Sequence, residues 1–239
     1  MSDVTEPRPG AFAVVTGAGG SVGPHLAAAL ASRGWPVALV VRPGSESRAL
    51  ETVSRLPGGG SATEAVGVDL TDEDAALAAF TGLEQRLGQC DLLLNAVGGF
   101  AAKPAHEAAL ADLQRLLGRN LVSAVNATRA VLPGMRERDK GFVLGMSAGA
   151  ARNPAPGRTA YAAAKGAVSG YFRSLASELV GTGVHAAVLS PMGTIDTAPN
   201  RAAMPSADFS AWIPVSSVVD AALYLATDPG VRELEVYAG

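Results

Sequence analysis

The sequence predicts an α/β protein, a single domain whose doubly wound parallel sheet of about seven strands carries helices on both faces. Three observations predict it. Apolar runs of strand length alternate with alanine-rich stretches of helix length. The strand runs are almost continuously apolar, as a sheet covered on both sides requires. A glycine-rich turn follows the first run and opens the first helical stretch. The 239 residues suffice for one sizeable core and are few for two. The domain is therefore expected over 1–239, with 1–10 as a flexible tail.

The first strand reads from Phe12 to Thr16 and its helix from about Val22 to Ser32, stopping at Gly34. A second strand, Val37 to Val41, precedes a short helix near Glu46–Leu56 that breaks at Pro57-Gly58-Gly59-Gly60. Ala65–Val68 is the third strand, ending at Asp69; Thr71 is placed to cap the next helix. Leu92–Leu94 forms the fourth, with Cys90 a small buried residue before it. Helical stretches then run near His106–Leu117 and Leu121–Arg138. Phe142–Met146 is the fifth strand, Thr159–Val180 a long helix and Val184–Leu189 the sixth strand. A loop over 192–215, read as the substrate loop, leads to a helix at Ser216–Ala226 and a strand at Glu233–Tyr237.

Composition excludes several classes. Apolar residues make up 48% and charged residues 17%, with a net charge of −3 and no run of like charges. Neither a nucleic-acid groove nor a membrane-surface patch is expected. No apolar run approaches the roughly 20 residues of a membrane helix, and the polar start is neither a signal nor a transit peptide. One cysteine cannot form an internal disulfide, which suits a reducing, cytoplasmic setting. His25, His106 and His185 lie far apart and show no metal spacing, so no metal is expected.

The turn Thr16-Gly17-Ala18-Gly19-Gly20-Ser21-Val22-Gly23 suits a dinucleotide. Its pyrophosphate needs a close backbone approach and the N-terminus of a helix. An acid at the end of the second strand would bind the ribose hydroxyls of NAD; here Val41-Arg42 stands instead. Arg42, assisted by Ser45 or Arg48, suits a 2′-phosphate, so NADP is favoured over NAD. Asp69 and Leu70 fall where the adenine would lie, and the glycines of Asn95-Ala96-Val97-Gly98-Gly99 suit close backbone approach to the same cofactor.

Tyr161 and Lys165, four apart on the long helix, share a face. A reductase needs a proton donor beside the hydride acceptor, and an ammonium lowers the pKa of a phenol. Together with the glycine turn, Asp69, the Asn95–Gly99 segment, Asn120 and Ser147, this pair resembles the short-chain dehydrogenase/reductase family over residues 12–237. The resemblance implies a Rossmann fold, often dimeric or tetrameric, and a small-molecule substrate. It implies Tyr161 as acid/base, Lys165 as its tuner and ribose ligand, and Ser147 as the ligand of the substrate oxygen. It also implies that Asn120 kinks its helix and holds water, and that Pro191 and Thr194 approach the nicotinamide.

The sequence departs from that pattern in three places. Ser21 replaces a glycine of the turn. Ser147 precedes Tyr161 by 14 residues, one more than the usual spacing; an ungapped match puts Ala148 in the serine's place, and an extra loop residue around Pro154-Ala155-Pro156 would restore Ser147. The segment from Ile195 to Trp212 is similar to the dihydropteridine reductase branch, which dispenses with the serine. Phe100, Met192, Met204 and Trp212 are expected to wall the substrate site. The expected activity is NADPH-dependent reduction of a C=O or C=N bond. A non-reductive isomerisation, dehydration or cyclisation on the same fold is the alternative, and a non-catalytic NADP sensor a more distant one.

Overall fold

The computed structural model describes residues 6–59, 62–153 and 155–239, with backbone alone at 62 and 63. In chain order the elements are β1 (Ala11–Thr16), α1 (Gly23–Ala31), β2 (Val37–Val41), α2 (Glu46–Ser54), β3 (Ala62–Gly67), α3 (Glu73–Leu87) and β4 (Gln89–Asn95). There follow α4 (Leu110–Leu117), α5 (Ser123–Glu137), β5 (Gly141–Met146), α6 (Thr159–Glu178) and β6 (Val184–Pro191). The chain closes with β7 (Ile195–Asp196), α7 (Ala198–Ala203), β8 (Ile213–Pro214), α8 (Val215–Thr227) and β9 (Glu233–Val236).

Seven strands form one sheet in the order β3-β2-β1-β4-β5-β6-β9, and every neighbouring pair is parallel. Successive strand residues serve opposite faces. Ala13, Val15, Leu92 and Leu94 join α1 and α8 in one core layer, while Phe12, Val14, Leu93 and Val143 join α3, α5 and α6 in the other. The expected doubly wound sheet of about seven strands is thus the observed one. From β1 the chain winds outward to β2 and β3, and from β4 outward the other way. The crevice at the carboxyl ends of β1 and β4 is the switch point where such sheets bind ligands.

Several local expectations give way. The cap of α3 is Asp72, whose carboxylate accepts from the Ala75 N–H at 3.0 Å; Thr71 instead donates its hydroxyl to Asp69 at 2.8 Å. The helix expected from His106 begins only at Leu110, where Asp112 accepts from the Ala109 N–H. β4 starts at Gln89, so Cys90 lies within the strand, fully buried, with burial pushing its thiol up. The 192–215 loop contains β7, α7 and β8, and β7 pairs with β8 in a small parallel ribbon.

Of the expected 1–10 tail, residues 1–5 lie outside the described residues. Arg8 is tied down: its guanidinium holds both oxygens of the buried Asp91, at 2.7 and 2.8 Å. Among the described residues, no helix is long and apolar enough to cross a membrane.

Candidate active site

The glycine turn is shaped by its own backbone. Gly17 has φ +70°, and a Cβ there would stand 2.7 Å from the Ala96 carbonyl and the Val97 nitrogen. That contact locks the turn after β1 against the segment after β4. Gly20 donates its N–H to the Gly17 carbonyl at 2.9 Å. A side chain on Gly23 would run into the same carbonyl, so α1 can start this close to the turn only with glycine there. Gly19 faces open space apart from Val41 at 3.8 Å. No side chain caps α1, and its first turn has no acid. Its positive end is therefore uncompensated and aimed at the open space.

A cavity opens over this turn. Gly17, Gly19, Gly20, Arg42, Asp69, Leu70, Ala96, Val97 and Gly98 line it, nine of the residues expected to bind a cofactor. Thr16 and Asn95 lie beneath, buried; the Asn95 side-chain nitrogen has no partner among the described residues. Ser21, Val22 and Gly23 form the turn and helix start rather than the lining. Asp69 is held by the Thr71 N–H and hydroxyl, which keep its carboxyl below the usual range. Asn126 fixes the next residue through the Leu70 carbonyl at 3.0 Å.

The cavity also holds Ser45, Arg48, Arg119 and Ser123. Arg119 and Ser123, residues that sequence reasoning missed, reach the cavity from the other side of the sheet's switch point. No local motif marks them. The guanidiniums of Arg42, Arg48 and Arg119 have no carboxylate partner among the described residues. A cluster of cations held in no ion pair fits a group with extra negative charge at the end of β2.

Asn120 sits in a π-helical turn, Gly118–Val122, which joins α4 to α5. Such turns leave backbone groups free for other partners. The Asn120 amide donates to the carbonyls of Gly99 and Leu116 at 3.0 and 2.9 Å and accepts from the Gly99 N–H at 3.2 Å. A Cβ on Gly98 would lie 2.9 Å from the Asn120 Oδ1 and 3.3 Å from the Lys165 Nζ. Asn120, Gly98 and Lys165 therefore converge on one point.

Lys165 is buried and donates to the Met146 carbonyl at 2.9 Å; burial without a counter-charge brings its pKa down to about 8. One turn earlier on α6, burial pushes the Tyr161 phenol above its usual value, with the Arg158 charge pulling the other way.

The Ser147 hydroxyl is engaged within the fold. Its hydroxyl donates to the Lys165 backbone carbonyl at 2.9 Å and accepts from Ser169 at 2.7 Å. It is buried between β5 and α6, with its proton already spent. Its neighbour Ala148 has no hydroxyl to offer. Of the loop proposed to restore the register, Pro154 lies outside the described residues.

Among the expected substrate walls, Phe100 packs edge-on to Tyr161, with ring centroids 5.0 Å apart. Met192 backs onto Gly149 through its backbone. Trp212 is buried against Phe209, with ring centroids 4.7 Å apart, and Met204 is exposed. Pro191 ends β6, and the Thr194 carbonyl accepts from the Ile213 N–H at 2.8 Å, closing the β7–β8 ribbon. No three His, Cys, Asp or Glu side chains gather as a metal site among the described residues.

A family model described as short chain dehydrogenase matches residues 11–207. A short chain dehydrogenase of Pseudocercospora fijiensis is 35% identical over 190 residues, 79% of this chain; the match spans only 60% of that relative's length. The 2-(S)-hydroxypropyl-CoM dehydrogenase 3 of Xanthobacter autotrophicus is 32% identical over 76% of this chain and 70% of its own. Among solved structures, a gluconate 5-dehydrogenase from Burkholderia cenocepacia in complex with NADP and tartrate superposes with a TM-score of 0.86. It is 27% identical, and the match covers 99% of this chain and 97% of that one.

Proposed function

The chain belongs to the short chain dehydrogenase family, a family of oxidoreductases, and on that premise we propose that it reduces a C=O or C=N bond of a small molecule with NADPH. The observation that carries the reading is the enclosed Lys165 cation, without a counter-charge, one helical turn from the half-buried Tyr161. Ionisable groups are seldom left in so costly a state unless they act.

The residues fit the cofactor. The Gly17–Gly23 turn and the start of α1 would hold the pyrophosphate. Arg42, Ser45, Arg48 and Arg119 would hold the 2′-phosphate, and Asp69, Leu70 and Ala96 would border the adenosine. Gly98, Lys165, Pro191 and Thr194 would meet the nicotinamide end. The NADP-bound gluconate 5-dehydrogenase supports this choice of dinucleotide. When bound, the cofactor supplies the hydride.

The chain's own part is the proton. Because burial raises the Tyr161 pKa, its Oη keeps its proton at neutral pH and can deliver it to the substrate oxygen as negative charge develops there. The phenolate left behind is stabilised by the Lys165 ammonium and takes its next proton from solvent. With the Ser147 hydroxyl committed elsewhere, Tyr161 alone polarises the substrate oxygen.

A fluorescence titration of the purified chain with NADPH and NADH, followed by ketone, cyclic imine and quinonoid dihydropterin acceptors, tests this. NADPH binding tighter than NADH and oxidation by one acceptor class is the expected result. NADPH binding without turnover of any acceptor defeats the reductase reading, and absence of binding defeats the cofactor reading as well.

A further inference from the structure

We propose that Arg158 is the anion-recognising residue of the substrate site, and that the substrate is a small oxo acid whose anionic group docks on it while its carbonyl meets Tyr161. The proposal rests on the reductase reading above and names its substrate class.

Arg158 is the N-cap residue of α6, three positions ahead of Tyr161. Residues three apart on a helix are neighbours, with about 5–6 Å between Cβ atoms. The Arg158 guanidinium lies 5.6 Å from the centre of the Phe100 ring, and that ring meets Tyr161 edge-on. Arg158, Phe100 and Tyr161 thus form one continuous surface.

Arg158 is exposed and has no carboxylate partner among the described residues. Its neighbours are differently placed. Arg152 and Arg173 are bound to Glu233, and Lys103, whose N–H donates to the Gly157 carbonyl, has its ammonium on Asp112. The start of α6 adds to the field, since no side chain caps it and its first turn has no acid. A guanidinium and a helix N-terminus both favour an oxyanion.

Phe100 supplies the middle of the surface. It is 59% exposed, and a short hydrocarbon segment would cover it. The matching ligand has an anionic head, a few methylenes and a carbonyl within a few bonds of the head. In the reaction one hydride from NADPH adds to the carbonyl carbon and one proton from Tyr161 adds to its oxygen. NADPH is oxidised to NADP⁺, the ketone becomes a secondary alcohol, and the head group keeps its charge.

Pyruvate, acetoacetate and levulinate, each paired with its methyl ester, space the charge and carbonyl differently without changing the chemistry. Wild-type, Arg158→Gln and Arg158→Lys are compared by the ratio of kcat/KM for acid and ester, with the NADPH Kd as control of folding. A change in Tyr161 acidity affects both members of a pair equally and cancels in the ratio. The expected result is an acid preference of about 10- to 100-fold for at least one pair. That preference should appear mainly in KM, vanish in Arg158→Gln and survive in part in Arg158→Lys. Equal use of acid and ester, or a ratio unmoved by Arg158→Gln, overturns the proposal. If NADPH binds and no ketone turns over, the reductase reading fails by itself. Calorimetric titration of the NADP⁺-loaded protein with the same three acids then decides: binding lost in Arg158→Gln sustains the anion site, and no binding to the wild type overturns it.

Discussion

The two sides of the cleft are made of different material. On the side of β1, β2 and α1, main chain does the work: Gly17 lies against Ala96, Gly23 against Gly17, and the uncapped start of α1 faces the cavity. On the side of α6, side chains do it: Tyr161 under Phe100, Lys165 on the Met146 carbonyl, Asn120 on both polar groups of Gly99. Backbone that must approach a ligand tolerates almost no variation in residue type. A side-chain surface can exchange its members and so change its substrate while keeping the reaction.

The contrast is sharpest at Lys165. Replacing it with Met is expected to lower kcat/KM for reduction on the order of 10²-fold. In the wild type, reduction should hold steady below pH 8 and fall above it, since Lys165 is cationic only below about 8. Lys165→Met should lack that limb. Its folded pKa lies below the value of 10.5 for a free lysine, so the folded state is penalised fully below pH 8 and progressively less between 8 and 10.5. Lys165→Met should therefore raise Tm at pH 7 and gain less at pH 10, while losing activity. A variant that is both inactive and destabilised at pH 7 would break this account of the buried ammonium.

Away from Lys165 the expected effects are smaller and of another kind. Gly17→Ala places a methyl against the Ala96 carbonyl in a left-handed conformation, costing about 1–3 kcal/mol. The loss should be visible in Tm and accompanied by weaker NADPH binding. Arg42→Ala should raise the NADPH KM by about 10-fold and leave the NADH KM nearly unchanged; an equal change in both would remove Arg42 from the 2′-phosphate site. Smallest of all, Ser147→Ala removes the bonds to the Lys165 carbonyl and Ser169. It should cost about 1 kcal/mol of stability and change kcat by less than about threefold. A loss of kcat comparable to that of Lys165→Met would return Ser147 to catalysis.

The same division governs what could be read beforehand. The glycine turn, the segment after β4 and the alternation of strands are local in sequence, so the sheet, its switch point and nine lining residues were legible. Asp72 displaced Thr71 as the cap of α3 because Thr71 found a better partner in Asp69, a competition that spacing does not resolve. The one-residue excess between Ser147 and Tyr161 did signal trouble, but only the bonds to Lys165 and Ser169 show where the hydroxyl went. Arg119 and Arg158 carry no motif. Each matters through what lies across from it, the cavity at the end of β2 for one and Phe100 for the other. The anchoring of Arg8 on Asp91 is likewise a contact between distant segments.

The central claim is that Tyr161 donates the proton while the glycine turn and the arginines hold the cofactor without it. Its most direct test is to measure NADPH Kd and NADPH oxidation with the best acceptor in wild type and Tyr161→Phe. The account predicts an NADPH Kd within about twofold and a loss of turnover of about 10²–10⁴-fold. Wild-type turnover in Tyr161→Phe would contradict it.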